Sequence, residues 1–414
     1  MTAKVAIAHL GARKHYQEPI LFHEWGVLER FYTDFYAGHG RMTKLLRSST
    51  VFPKLPGALK KGLDRYDPIL EKAPVTHFPA FGYQYIQKLK NSSPQQACSI
   101  YNWAGKEFCR RIIRHGLGDA NTLYGFPVSS LELFEYAKSE GLHCILDQII
   151  AERAFTYDLL EQEETLWSNW SITPFQIQAA ERELIAREQQ EQKLADHIVC
   201  GSEFVKESLI AKGMNHDRIS VVPLGRLKGE IVPAQRRERL APKARGDELR
   251  ILFAGAVNLR KGIPYLLTAL RSLKIPFTCR AAGGIEIKPE RVAEYSDVCE
   301  FLGRVPRSQM SELYDWADVF VLPSIVEGSA MVTYEALMCG LPIITTYNAG
   351  SLVRHELDGY IVKVRNAEAI AERLTQLYET GIASQQSQAR QQYFLDVFTE
   401  AQETLRSVVC QSLN

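Results

Sequence analysis

The sequence predicts an α/β protein made of two Rossmann-like domains that face each other across a central cleft, with ligands at the carboxyl ends of the strands. Three observations predict it. Apolar runs of strand length alternate with longer stretches of helical period. The strand-like runs of the second half close on glycine, proline or serine turn signals. The chain has 414 residues, more than one core readily accommodates, and two domains is the simpler division.

Composition narrows the function classes. With 46% hydrophobic and 23% charged residues the chain can bury sizeable cores. Forty-nine Lys and Arg balance forty-eight Asp and Glu, so no net charge calls for a nucleic acid partner. The eight cysteines are scattered, without a CxxC pair or Cys/His spacing suited to a metal, and no metal is expected. Reduced thiols imply a cytoplasmic protein. The opening residues enter a strand too soon for a signal peptide, and no apolar run of membrane-spanning length occurs.

In the first half, Lys4 to Leu10 reads as a strand, Leu131 to Glu140 as a helix, His143 to Leu146 as a strand and Phe175 to Leu194 as a long charged helix. His197 to Cys200 is the next strand; Ser202 caps a helix through Ala211, Gly213 stops it, and Ile219 to Val222 follows as a strand. The stretch 226–245 is rich in Arg, Lys and Pro and poor in apolar periodicity, as an interdomain linker would be. The second half is plainer. Leu249 to Ala254, Phe277 to Ala282, Val298 to Leu302 and Asp318 to Leu322 read as strands, with a helical stripe over Tyr265 to Leu270. The expected domains are 1–225, with a terminal helix within 391–414 crossing back to it, and 246–390.

The stretch Leu322 to Thr346 carries the chemistry. A buried strand enters Pro323-Ser324, a loop holds Glu327-Gly328-Ser329, a helix runs from about Ala330 to Cys339, Gly340 ends it, and Pro342 opens another strand. Two carboxylates, Glu327 and Glu335, thus stand at the sheet's carboxyl edge beside a helix start whose free N–H groups suit hydroxyl-rich or anionic groups. Upstream, Arg260 and Lys261 lie between Gly255 and Gly262, after a strand and ahead of a helix, where two cations form a diphosphate site.

The string Glu327-(seven residues)-Glu335, followed by Ala336 to Pro342, resembles the signature of retaining glycosyltransferases of family 4, also called glycosyltransferase group 1. Ile251 to Gly262, Phe301 to Val305, Asp315 to Ser324 and Glu356 to Gly359 are similar to further parts of that family's pattern, as are Leu194 to Ser202 and Ile219 to Gly225. The resemblance is strong over about 190–365 and weaker elsewhere. It implies the two-domain GT-B fold and retaining transfer, without metal or other cofactor, from a nucleotide diphosphate sugar, UDP- or GDP-linked, to a glycan, lipid-linked or small-molecule hydroxyl. It further implies that Arg260 and Lys261 bind the diphosphate, that Glu327 holds sugar hydroxyls and Glu335 the ribose, and that Gly328, Ser329 and Ala330 offer N–H groups near the sugar. Arg304 and Val305 would lie by the base. No DxD triplet occurs, in keeping with a metal-independent reaction. The alternative function is a nucleotide-sugar-binding scaffold that keeps the fold without catalysis.

The first half departs from the family. Where relatives often carry a Gly-Gly loop, this chain has His9 to Gln17; Gly11 and Arg13 are the candidates to meet the diphosphate, with His9, His15 and Tyr16 as lesser ones. Where relatives often place a histidine, the chain has Ile145 to Gln148, making Asp147 an acceptor-side candidate or else a helix N-cap. Finally, Arg41 to Arg65 interleaves seven cations with large apolar residues, which suits either a solvated helix face or peripheral contact with the inner face of an anionic membrane carrying a lipid-linked acceptor.

Overall fold

The computed structural model describes residues 2–38, 41–47, 51, 62–93, 96–223, 247–380 and 385–411, with backbone alone at 13, 41, 42, 44, 385–391 and 411. The expected linker 226–245 lies outside the described residues. Two fully parallel sheets form the frame. The first comprises β1 (Val5–His9), β2 (Leu28–Thr33), β3 (Val75–His77), β4 (Thr122–Gly125), β5 (His143–Gln148), β6 (His197–Cys200) and β7 (Ile219–Val221), in the order β3-β2-β1-β4-β5-β6-β7. The second comprises β8 (Leu249–Ala254), β9 (Phe277–Ala282), β10 (Glu300–Gly303), β11 (Val319–Leu322), β12 (Ile343–Thr346) and β13 (Gly359–Val362), ordered β10-β9-β8-β11-β12-β13.

Helices cover both faces of such sheets, so the central strands are continuous apolar runs. Every residue of β1 and of β11 is buried. Chain order reverses between β1 and β4 in the first sheet and between β8 and β11 in the second, and each reversal opens a crevice at the strands' carboxyl ends.

Local signals set the boundaries. Ser202 accepts from Val205 N at 3.4 Å and caps the helix Glu203–Ala211. The helix Met331–Met338 ends on Gly340 at φ +72°, with Leu341 N donating to the Ala336 carbonyl at 3.0 Å. Two expectations are corrected. The long helix spans Ala179–Leu194, because the residues before it run as an extended strap; and the strand expected at Val298 begins at Glu300, since Val298 and Cys299 close a turn on Tyr295.

That strap ties the two halves together. After the helix Arg153–Leu166, Trp170 is buried in the second core between Trp167 and Tyr295, and Ser171 bridges Ile287 while Ile172 N donates to the Glu286 carbonyl at 3.0 Å. Fully buried Glu163 accepts from Tyr265 Oη at 2.9 Å and from Arg365 Nε at 2.6 Å. The last helix, Gln385–Gln411, makes a second tie: Phe394 and Phe398 pack on Tyr334 in the second core, whereas Ala401, Leu405 and Val409 belong to the first. Among the described residues no helix is long and apolar enough to cross a membrane.

Trp170→Ala is expected to lower stability by about 3–5 kcal/mol, the range for emptying a buried aromatic site. Denaturant titration measures it, and a loss below about 1 kcal/mol would show that the strap is not part of the second core.

Candidate functional site

The loop after β8 and the loop after β11 meet at the second crevice. Gly262 has φ +70°, and a Cβ there would stand 2.0 Å from the Pro323 carbonyl, so only glycine lets the two loops touch. Asn258 Oδ1 accepts from Lys261 N at 3.0 Å and shapes the turn. Lys261 then runs over Gly255, whose hypothetical Cβ would lie 3.3 Å from Lys261 Cε.

Three charges converge. Glu327 Oε1 lies 2.7 Å from Arg260 Nη1 and 2.6 Å from Lys261 Nζ, with Lys261 and Glu327 largely withdrawn from solvent and Arg260 half-buried. Burial pulls the Lys261 amine below its ordinary range; Glu327 works upward against that and the Arg260 charge adds to the fall. The Glu327 loop is fixed from behind by Thr346 Oγ1 to the Ser324 carbonyl at 2.6 Å and Asn348 Nδ2 to the Ile325 carbonyl at 2.7 Å. Two cations on one carboxylate leave an unbalanced positive charge facing the crevice.

The structure brings most of the expected residues to this cleft. Gly328 lies against the first domain: a Cβ would be 1.8 Å from the Ile149 carbonyl, and its own carbonyl accepts from Ser202 Oγ at 2.6 Å. Ser329 Oγ bonds Tyr334 Oη. Ala330 is a correction, for its N–H is taken by the Ala349 carbonyl at 3.1 Å, which leaves Gly328 and Ser329 as the N–H candidates in this loop. Glu335 accepts from Tyr314 Oη at 2.7 Å, and Arg307 Nη2 stands 3.6 Å from its other oxygen. Burial, then the Glu335 charge, raise the Tyr314 hydroxyl well above its ordinary pKa, so it stays a donor. Arg304 is exposed on the turn after β10 and lies over Gly284, with Val305 half-buried beside it.

On the facing side, Gly11 has φ +92° and its N–H donates to Asp34 Oδ1 at 2.9 Å. Asp34 is in turn clamped by both Arg65 terminal nitrogens; burial works upward on its pKa, but the Arg65 hydrogen bonds and charge outweigh it and hold the carboxyl below its usual range. Arg65 therefore points into the first domain; 48–50 and 52–61 of the basic stretch lie outside the described residues, as do the side chains at 41, 42 and 44. The Arg13 side chain also lies outside them.

Asp147 is corrected too. It lies within β5, fully buried, where it accepts from Lys14 Nζ at 2.8 and 2.6 Å and from Tyr124 Oη at 2.7 Å; it neither caps a helix nor presents a carboxylate to solvent. Lys14 also pairs with Glu18 at 3.0 Å. Lys14, His15 and Tyr16 all have left-handed backbone angles, φ 45°, 51° and 63°. Such residues cost on the order of 1–3 kcal/mol each, and the Lys14 ion pairs together with the burial of Tyr16 hold them there. His15 is exposed and meets Arg307 Nη1 at 2.8 Å across the cleft, while His9 is buried and stacked on Phe126 at 4.6 Å. Lys14, Arg307 and Tyr314, which sequence reasoning missed, touch the expected residues Asp147 and Glu335.

Two facing Rossmann-like domains with an anion-attracting crevice define a GT-B architecture. The profile of the family described as "Glycosyl transferases group 1" matches residues 235–393, so this segment is similar to that family. An uncharacterized glycosyltransferase of Methanocaldococcus jannaschii is 31% identical over 139 residues, 30% of this chain and 34% of that protein. A D-inositol 3-phosphate glycosyltransferase of Paenarthrobacter aurescens is 30% identical over 190 residues, 42% of this chain and 46% of the relative. The chain thus spans between a third and a half of these relatives' lengths. Among solved structures, sucrose-phosphate synthase of Thermosynechococcus elongatus has the same fold, with a TM-score of 0.63, 14% identity and 98% and 99% of the two chains covered. HepE of Anabaena in complex with UDP-glucose gives a TM-score of 0.53 at 13% identity, covering 98% and 99%.

Burial, the Asp147 charge beside it and the opposing pull of Lys14 leave the Glu18 carboxyl raised, to about 7. The native state therefore holds this proton more tightly than the unfolded chain, and the contribution of Glu18 to stability is full at low pH and falls as pH rises toward 7. Glu18→Gln should flatten the stability profile between about pH 4.5 and 7 relative to the parent chain. Parallel denaturation curves across that window check this, and identical slopes would contradict it.

Proposed function

We propose that the protein is a retaining, metal-independent glycosyltransferase that moves a sugar from a UDP- or GDP-sugar to a hydroxyl acceptor. The observation that carries this reading is the Arg260–Lys261–Glu327 cluster at the crevice of the second sheet. A donor diphosphate entering beside Arg260 and Lys261 replaces Glu327 as their counter-charge. Glu327, released from part of that pairing, accepts from hydroxyls of the donor sugar. Glu335, oriented by Tyr314, is set to accept from ribose hydroxyls, and the turn at Arg304 and Val305 to flank the base.

The reaction forms a bond from the acceptor oxygen to the anomeric carbon and breaks the bond from that carbon to the diphosphate oxygen. The acceptor proton passes to the departing phosphate on the same face. Negative charge grows on the diphosphate as the bond breaks, and the buried Lys261 amine and Arg260 guanidinium stabilise it more strongly than solvent would. The facing domain contributes through the loop held by Lys14 and Asp147, which acts in positioning and not as a base. We read residues 1–225 with the returning helix as the acceptor side and 246–390 as the donor side, supported by the way Gln385–Gln411 joins both cores. A cytoplasmic protein, peripheral to a membrane when its acceptor is lipid-linked, is consistent with this reading.

Glu327→Ala and Lys261→Ala should each leave a folded protein whose turnover falls by about a hundredfold or more, the effect of removing one charge-stabilising group. Nucleotide release and thermal melting, measured together, separate lost chemistry from lost fold; near-parental turnover in either variant sinks that residue's role. In a thermal-shift screen of UDP, GDP and their sugars, the cognate ligand at a hundred times its dissociation constant should stabilise by about 2.7 kcal/mol. No shift with any of them would argue against a preformed donor site.

A further inference from the structure

A cavity of about 560 Å³ lies between the strap that follows Leu166 and the loops after β8 and β9, and Arg260 stands in its wall. Its size falls within the range of small-molecule sites. Arg260 Nη1 is bonded to Glu327, so this wall residue is shared with the cluster assigned to the donor sugar. We propose that it is the acceptor subsite, and that it takes a glycosyl unit: an uncharged ring bearing several hydroxyls. This rests on the transferase reading above and adds to it the class of acceptor.

The lining supports a sugar over an anion. Phe175, Ile172 and Leu259 supply apolar surface, on which the C–H face of a pyranose packs. Glu164, Glu181 and Glu286 supply carboxylates, which only accept and therefore select ligands with hydroxyl donors. Glu164 Oε1 is taken by Ser171 Oγ at 2.8 Å and Phe175 N at 3.0 Å, and Glu286 Oε2 by Asn258 Nδ2 at 2.8 Å. The second oxygen of each has no hydrogen-bond partner among the described residues. Against these three carboxylates stands the single cation Arg260, already paired with Glu327, so a phosphate entering here would meet net repulsion.

The strap is held as a fixed wall. The same Glu164 oxygen that binds Ser171 and Phe175 anchors its turn, Ile177 N donates to Glu161 Oε1 at 3.1 Å, and Trp170 is seated in the second core. The cavity is thereby built from both domains, as a site must be if it presents an acceptor hydroxyl to a donor bound on the other side.

The test uses the full chain with whichever UDP- or GDP-sugar it hydrolyses, and para-nitrophenyl glycosides of glucose, galactose, mannose and N-acetylglucosamine as acceptor probes, with farnesyl phosphate as the anionic comparator. At least one glycoside should raise nucleotide release about tenfold over donor alone. Ile172→Trp, which fills the cavity from a side chain that is 55% exposed, should raise the glycoside KM about tenfold or more while donor-only hydrolysis stays within about twofold. Glu164→Gln, which keeps the contacts to Ser171 and Phe175, should also raise that KM. An unchanged KM in both variants, stimulation by farnesyl phosphate alone, or no stimulation by any glycoside overturns the subsite while leaving donor hydrolysis intact. Failure of the parent chain both to hydrolyse a donor and to be stabilised by a nucleotide overturns the transferase reading itself, and this one with it.

Discussion

The meeting of Arg260 and Lys261 on a single oxygen of Glu327 is the constraint around which the second domain is arranged. Withdrawing three charges from water is costly, and the cluster persists only because oppositely charged groups touch and the backbone behind them is fixed. That fixing reaches far into the sheet. Gly262 against Pro323 brings the two loops into register, Thr346 and Asn348 hold the Glu327 loop from the next strand, and Gly328 seats it against the first domain at Ile149. Two cations on one carboxylate leave a residual positive charge, and a depressed Lys261 pKa is the mark of an amine kept out of water.

The first domain answers with a second buried ionic group. Lys14 between Asp147 and Glu18 holds a loop in a backbone conformation that three non-glycine residues would not otherwise adopt. The loop so held carries His15 to Arg307, and Arg307 approaches Glu335, so one chain of contacts runs from the first sheet to the Glu335 carboxylate. This chain reaches the cleft by a strained loop held in place by ion pairs. Breaking such a pair leaves an unpaired buried charge, typically a loss of about 3–5 kcal/mol, which explains why the loop tolerates its conformation.

The parts legible in the sequence are those whose signals are local. His197–Cys200 and Phe277–Ala282 were bounded by turn residues and match their strands, and the Glu327-to-Pro342 string announces strand, loop, helix and cap in order. The first domain hides its strands: β2 carries Glu29 and Arg30 on half-buried positions, and β4 is only four residues long. Asp147 could be found as a strand-end carboxylate but not placed, because its partner Lys14 lies 133 residues away and reaches it only through left-handed backbone. The Ala330 N–H was expected to be free at a helix start, yet the neighbouring Ala349 carbonyl takes it, a contact that exists only once β12 is in position.

The most direct test of this account is a crystal structure of the chain with the nucleotide sugar that stabilises it most. The account requires the diphosphate oxygens within hydrogen-bond distance of Arg260 and Lys261, and Glu327 turned to the hydroxyls of the sugar. A donor bound away from these cations, or a Glu327 that keeps both of its ion pairs unchanged with the sugar out of reach, would contradict it.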